Sequence, residues 1–451
     1  MTHSPASSAA ADRPPTPTFR EALSFWLKLG FISFGGPAGQ IAVMHEELVE
    51  RRRWISERRF LHALNYCMVL PGPEAQQLAT YIGWLLHGTI GGIVAGTLFV
   101  VPSLFVLIAL SWIYLSYGDV PAVAGVLYGI KPAVTAIVVF AAYRIGTRAL
   151  RNALLWAIAA AAFVAIFAFR VPFPWIVIAA AVVGVVGGRI APDRFRAGGA
   201  HGVGGKDYGS ALIGDDTPTP AHARFRLGRA VMVATVGLLL ALLPLAALAW
   251  SGGWSATLTQ MGWFFTKAAL LTFGGAYAVL PYVYQGAVET YAWLTPAQMI
   301  DGLALGETTP GPLIMVVAFV GFVGGWAQEV FGPGNQVVAG IAGASVATYF
   351  TFLPSFVFIL VGGPLVEATH DDLKFTAPLT AITAAVVGVI LNLAMFFAYH
   401  VLWPEGIGSR FDWISMLIGI AAGIALFRFK AGVIPVIGAC ALAGLAVTLI
   451  F

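Results

Sequence analysis

The chain has 451 residues, of which 59% are hydrophobic and 10% charged, and its mean hydropathy is +0.85. Water-soluble domains carry about 25% charged residues, so a soluble enzyme or nucleic-acid-binding protein is excluded and a polytopic membrane protein is indicated. The net charge is only +4 and the basic residues cluster at segment ends, which is a topology signal.

Residues 1–20 are rich in Ala, Ser and Pro and have no apolar stretch of a signal peptide, so they read as a disordered tail. A first transporter repeat is predicted over 21–190, with apolar segments at about 22–50, 58–87, 88–117, 120–143, 152–169 and 172–190. The first segment is interrupted at Gly35-Gly36-Pro37 and the second at Pro71-Gly72-Pro73. A polar, Gly-rich cytoplasmic linker follows over 191–228, expected to act as a tether. A linking transmembrane helix is predicted over 229–253. A second repeat over 254–451 has apolar segments at about 258–291, 296–326, 337–363, 375–402, 412–427 and 431–450.

The second repeat copies the first at a constant offset of 239 residues. Lys28, Phe34-Gly35-Gly36, Glu50, Trp54 and Pro71-Gly72-Pro73 return as Lys267, Phe273-Gly274-Gly275, Glu289, Trp293 and Pro310-Gly311-Pro312. Pro102-Ser103 matches Pro354-Ser355 after a short insertion. An even number of segments, one linking span and a second copy make the repeats inverted.

Arg51, Arg52, Arg53, Arg58 and Arg59 follow the first segment, and Arg144, Arg148 and Arg151 follow the fourth, with no basic counterparts in the second half. Keeping both groups on the side of the basic linker requires each interrupted segment to enter and leave by one face. The expected fold is all-α, with about 13 apolar segments: two re-entrant helical hairpins and four spans per repeat, plus the linking span. The N-terminus is then cytoplasmic and the C-terminus periplasmic. Treating each hairpin as a full span gives the same final parity but puts the 51–59 arginines outside.

A helix end inside a bilayer strands backbone groups at several kcal/mol each, so it persists only where protein, water or a ligand satisfies it. Free N–H groups at a helix N-terminus favour an anion, Pro suits the first turn, and Gly lets backbone approach a ligand. Gly35, Gly36, Pro37, Pro71, Gly72, Pro73, Gly274, Gly275, Pro310, Gly311 and Pro312 are therefore candidates for an anion cage at the midplane; tight turns or kinks are the plainer reading. Lys28 and Lys267 either line the path or snorkel to an interface. Gln40, Asn65, Gln76, Gln77, Thr308 and Thr309 offer uncharged donors beside the breaks. Glu74, Asp301 and Glu307 are candidates for proton coupling, since a carboxylate repels an anion when ionised and admits it when protonated. Alternatively they pair with Lys28, Lys267 or an arginine. Glu50 and Glu289 read as structural pairs or caps, and Trp54 and Trp293 as interfacial tryptophans beside Ser or Thr caps.

Cys67 and Cys440 lie in apolar runs of opposite halves and read as buried free thiols. The eight histidines form no metal-binding pattern, and no P-loop, dinucleotide fingerprint or catalytic triad is present. No cofactor, metal or enzymatic activity is expected. The expected partners are a small oxyanion, the lipid bilayer and at most a second copy of the chain, with no nucleic acid.

At Phe34-Gly35-Gly36-Pro37 with Gln40, at Arg51-Arg52-Arg53-Trp54-Ile55, at Pro71-Gly72-Pro73-Glu74-Ala75-Gln76-Gln77, and at Gly306-Glu307-Thr308-Thr309-Pro310-Gly311-Pro312, the chain resembles the chromate ion transporter (CHR) family of the long two-domain type. The resemblance implies an inner-membrane secondary transporter that expels chromate and confers resistance, with sulfate as a competitor or alternative substrate. Ala276 stands where the first copy has Pro37, so the halves are expected to be unequal at the site. The expected motion is a rocking of one repeat against the other. A membrane-embedded redox enzyme is the distant alternative.

Overall fold

The computed structural model describes residues 14–34, 36–118, 120–195, 208–215, 217–368, 376–406, 408 and 410–450. Gly35, most of the N-terminal tail and part of the linker lie outside them. The first repeat opens with α1 (Phe19–Ile32) and α2 (Gly36–His45), which runs into a π-helical turn at Glu46–Arg51. Thr18 and Glu21 start α1 with a capping box: the Glu21 N–H donates to Thr18 Oγ1 and the Thr18 N–H to Glu21 Oε2.

A continuous helix would place Arg52 about 40 Å from Phe25 at 1.5 Å per residue. Instead the Arg52 guanidinium lies 4.9 Å from the Phe25 ring and 5.0 Å from the Trp54 ring. The first interrupted segment is therefore a re-entrant hairpin. The second is built from α3 (Glu57–Val69) and the start of α4 (Glu74–Tyr117), and its arms come together at Tyr66 and Tyr81. α4 breaks at His87 and Gly88 (φ 66°) and doubles back, with Gly83 packed on Gly91 and Ala95. Its second part is the first true span. α5 (Pro121–Ala149), α6 (Ala153–Phe169) and α7 (Phe173–Ile190) complete the repeat, and α8 (Leu227–Gly252) links to the next.

The second repeat repeats this order. α9 (Thr257–Leu270) and α10 (Ala276–Tyr284), with a π-helical turn at Gln285–Thr290, form its first hairpin. α11 (Pro296–Thr308) and α12 (Val316–Ala327) form the second. α13 (Gln336–Ala368), α14 (Thr376–Leu402), α15 (Trp413–Phe427) and α16 (Val433–Ile450) follow. Seven helices are long and apolar enough to cross a membrane, and three shorter apolar helices accompany them among the described residues. The fold is the expected all-helical one.

The offset of 239 is visible in backbone detail. Arg53 (φ 51°) and Ala292 (φ 49°) share a left-handed conformation, as do Gly36 (φ 68°) and Gly275 (φ 98°) in positive φ. Leu48 accepts from the Trp54 N–H at 2.8 Å and Ala287 from the Trp293 N–H at 2.7 Å. Phe25–Arg52–Trp54 becomes Phe264–Tyr291–Trp293, with Tyr291 stacked on Trp293 at 4.6 Å. Both tryptophans are buried, each closing its hairpin's mouth against a phenylalanine. The Ser56 and Thr295 caps are as expected. Cys67 and Cys440 are free and buried.

The hairpins of the two repeats meet tip to tip. The Gly72 N–H donates to the Thr272 carbonyl at 2.8 Å, and the Gly311 N–H donates to the Ser33 carbonyl at 2.7 Å. These are equivalent bonds under the 239 offset. Each tip glycine also packs on the Pro-Ser step of the opposite repeat's long span. A Cβ on Gly72 would sit 2.4 Å from Ser355 Oγ, and one on Gly311 would sit 2.7 Å from Ser103 Cβ.

The last helices of each repeat are exchanged. α5 packs on α15 and α16, with Gly129 against the Cys440 carbonyl, and α14 packs on α6 and α7, with Gly388 against the Ala159 carbonyl. The two sequence repeats are therefore interleaved. The four hairpins with α4 and α13 make up one group of helices, and α5–α7 with α14–α16 make up a bundle packed against it.

The linker is more than a tether. Leu212, Ile213 and Thr217 bond to the mouth of the first two hairpins: the Leu212 and Ile213 N–H groups donate to the Arg53 and Trp54 carbonyls at 2.9 and 3.1 Å, and Arg59 Nη2 donates to the Thr217 carbonyl at 2.9 Å. His222 bonds the Trp84 carbonyl at 2.9 Å. The 51–59 segment thus lies on the linker side, as the hairpin reading requires and the full-span reading does not.

Gly311→Ala combines backbone strain and overpacking of about 1–3 kcal/mol each. It should lower the apparent melting temperature of the detergent-solubilised protein, and adding Ser103→Gly, which removes the opposing Cβ, should restore part of the loss. A melting temperature unaffected by Gly311→Ala would refute the tip contact.

Candidate functional site

Four helix starts converge on the joined tips: α2 after Gly36, α4 after Pro73, α10 after Gly275, and the short turn Leu313–Met315 that leads into α12. The tips differ in kind. At the second hairpins, Gly72 and Gly311 spend their N–H groups on the opposing carbonyls and are buried. At the first hairpins, a Cβ on Gly36 or Gly275 would have no atom within 4 Å. An anion can therefore approach the backbone at the starts of α2 and α10 without displacing anything, and free N–H groups and the helix dipole favour it there.

The lining is polar mainly on the first repeat's side. Gln40 Nε2 donates to the Gly311 carbonyl at 2.5 Å, and Gln77 Nε2 to the Pro71 carbonyl at 2.8 Å. Gln76 Nε2 donates to Thr80 Oγ1 at 3.1 Å. All three glutamines are buried, and their Oε1 atoms have no hydrogen-bond partner, nor do the Ser33 and Ser103 hydroxyls. Unpaired polar atoms are costly when buried; of these five, the two hydroxyls can donate and the three amide oxygens can only accept. The equivalent positions of the second repeat are Val279, Met315 and Val316. Asn65 is half-buried on α3, and Pro37, Pro71 and Pro310 are half-buried at the breaks, while Pro73 and Pro312 are buried.

Ionisable groups come from both repeats: Asp301 and Glu307 from the second, and Glu74, Lys131 and Arg144 from the first. The Tyr277 hydroxyl donates to the Glu307 carboxylate, and the Arg144 charge on α5 acts on both. Thr383 of α14 lies beside Gly274. Thr308 and Thr309 turn inward on their own helix, donating to the Leu305 and Gly306 carbonyls. Asp301 is buried, accepts from Tyr114 Oη at 2.9 Å and pairs with Lys131 Nζ at 3.4 Å. Glu74 is half-buried at the start of α4 beside Cys67.

Of the alternatives for the three carboxylates, pairing with Lys28 or Lys267 is not seen among the described residues; Asp301 pairs with Lys131 instead. Lys28 is exposed and lines a groove with Arg20 and Arg52, while Lys267 lies 5.5 Å over the Trp263 ring. Glu50 pairs with His45 at 3.2 Å, the structural role expected of it. Sequence reading missed Ser33, Ser103, Tyr277, Thr383 and Arg144. Only the Pro-Ser match of Ser103 to Ser355 carried a usable signal.

A second buried cluster lies on the linker side. Glu367 of α13 accepts from Tyr81 Oη at 2.5 Å and pairs with Arg59 Nη1 at 3.5 Å. Among the described residues no group of three or more His, Cys, Asp or Glu side chains could hold a metal ion.

A family model described as chromate transporter matches residues 20–185 and 259–445. A chromate transport protein of Pseudomonas aeruginosa is 33% identical over 429 residues, covering 91% of this chain and 92% of its own length. A chromate transport protein of Cupriavidus metallidurans is 29% identical over 417 residues, covering 92% and 90%. An uncharacterized Bacillus subtilis transporter, YwrB, is 28% identical over 134 residues, which is 30% of this chain and 68% of the relative. No solved structure matches.

Gln40→Leu strands the Gly311 carbonyl and removes an amide from the tip. One hydrogen bond to a charged guest is worth about 1.5–3 kcal/mol, so initial transport rates at low substrate should fall about tenfold or more. Val279→Leu, the equivalent change in the second repeat, should cost far less in the same assay.

Proposed function

The chain belongs to the chromate transporter family, and we propose that it moves chromate from the cytoplasm across the inner membrane and so confers chromate resistance. The observation that carries this reading is the pair of open helix starts at Gly36 and Gly275 beside the buried Ser33 and Ser103 hydroxyls, which have no partner and can donate. A tetrahedral dianion needs many donors and no strong permanent cation if it is to be released. Sulfate has the same shape and charge and should compete.

The linker side is assigned to the cytoplasm, because Arg51–Arg53, Arg58, Arg59, Arg148, Arg151, Arg189 and the linker arginines gather there. The N-terminus is then cytoplasmic and the C-terminus periplasmic. The membrane potential is worth about 2.3 kcal/mol per charge per 100 mV, or about 4.6 kcal/mol for a departing dianion. At about 1.4 kcal/mol per decade this supports a gradient of over a thousandfold without ATP. Alternating access would move the hairpin body against the helical bundle. Glu307, bonded to Tyr277 within the hairpin group and under the electrostatic influence of Arg144 on the bundle, would couple protons to that motion.

Radiolabelled chromate should accumulate in energised everted inner-membrane vesicles, collapse with an ionophore and fall with excess sulfate. Absence of accumulation with the protein present would sink the export reading. Glu307→Gln, which mimics the protonated carboxyl, should remove the pH dependence of uptake; an unaltered pH profile would exclude Glu307 from coupling.

A further inference from the structure

The face of α1 away from the tips carries an open groove of about 320 Å³ lined by Arg20, Glu21, Ser24, Phe25, Lys28 and Arg52. Five of these come from one side of α1, and Arg52 is laid over them from the returning arm. Arg52 is held in place, its guanidinium stacked on Phe25 and Trp54 and its Nε 3.3 Å from a Glu47 oxygen. Glu21, the one acidic side chain in the lining, is occupied by the Thr18 N–H at 2.7 Å and the Thr18 hydroxyl at 3.0 Å. Among the described residues, Arg20 and Lys28 make no ion pair or hydrogen bond through their side chains.

The fold does not need this charge. In the second repeat the same positions are Thr259, Gln260, Trp263, Phe264, Lys267 and Tyr291. Tyr291 fills the stacking place of Arg52 against Trp293, so an aromatic ring closes the hairpin as well as a guanidinium does. Three cations on the linker side become a single lysine over a tryptophan on the far side. The cations of the first repeat therefore serve something other than packing.

Beside the groove, Phe19, Leu23, Leu27 and Phe31 form an exposed apolar row along α1 at intervals of four residues. A free dianion gains nothing from such a row, whereas an acyl chain does. We propose that this groove binds the phosphate of an anionic phospholipid, with its chains laid along Leu23, Leu27 and Phe31. Arg20 and Arg52 hold the headgroup, and Lys28 reaches back to it from one to two turns deeper, as lysines in apolar surroundings do. This site does not depend on which solute the tips carry.

The test uses the full chain in nanodiscs of phosphatidylcholine with graded phosphatidylglycerol, and native mass spectrometry to count the lipids retained. The wild type should retain phosphatidylglycerol over phosphatidylcholine by about tenfold or more, and Arg20→Thr with Lys28→Gln and Arg52→Tyr should bring that preference close to unity. These replacements at positions 20 and 52 are the residues the second repeat already uses there, so the hairpin should close. Lys267→Gln should leave the preference unchanged. Should the triple variant fail to fold, Arg52→Tyr alone should cut the preference about threefold. Undiminished preference in the variant that folds would overturn the site. Displacement of the lipid by millimolar inorganic phosphate or sulfate would overturn the lipid assignment in favour of a free oxyanion. A two-copy species that the triple variant abolishes, with no lipid preference, would overturn it in favour of self-association.

Discussion

The bonds from Gly72 to Thr272 and from Gly311 to Ser33 are the constraint on which the rest of the molecule depends. A hairpin that turns inside a bilayer exposes backbone groups that hydrocarbon cannot satisfy, at several kcal/mol each. One hairpin alone has no remedy. Two hairpins entering from opposite sides can each offer a carbonyl to the other's N–H, and only inverted repeats bring them together that way. Positive φ at Gly72 and Gly311, and the absence of a side chain beside Ser355 and Ser103, follow from the closeness of that contact.

The frame is symmetric and its lining is not. Gln40, Gln76 and Gln77 belong to the first repeat, and their counterparts are apolar. Asp301 and Glu307 belong to the second, and their counterparts are His62 and Met68. The first repeat thus carries the buried amides together with Glu74, and the second carries Asp301 and Glu307. The duplicated backbone supplies the geometry, and the side chains have diverged.

The breaks were legible in the sequence because backbone requirements restrict residue choice: a turn at positive φ wants Gly, and a helix start accepts Pro. The hairpins were legible from the arginines at 51–59. The partners of the carboxylates were not, because they come from elements at no fixed spacing; Lys131 precedes Asp301 by 170 residues. Lys28 sits in an apolar run next to a break, but only the packing of α1 on α4 decides that its face points away from the tips. The docking of the linker on Trp54 and Trp84 was equally hidden, since a Gly-rich stretch carries no period that would mark an ordered contact.

The exchange of the last helices also decides where ionic contacts matter. The cluster of Arg59, Tyr81 and Glu367 lies wholly among α3, α4 and α13, so it stiffens the hairpin body. The contacts of α11 are different. Asp301 meets Lys131 and Glu307 faces the charge of Arg144, and both cations ride on α5, which belongs to the bundle. Under the proposed motion, moving one group of helices past the other would separate these charges in a poorly solvated interior, where an unpaired ion is costly. A carboxyl that has taken up a proton no longer imposes that cost. On the proposed reading, carboxylates on α11 and cations on α5 would bring charge neutralisation and helix movement to the same interface, which is the physical requirement for coupling the two.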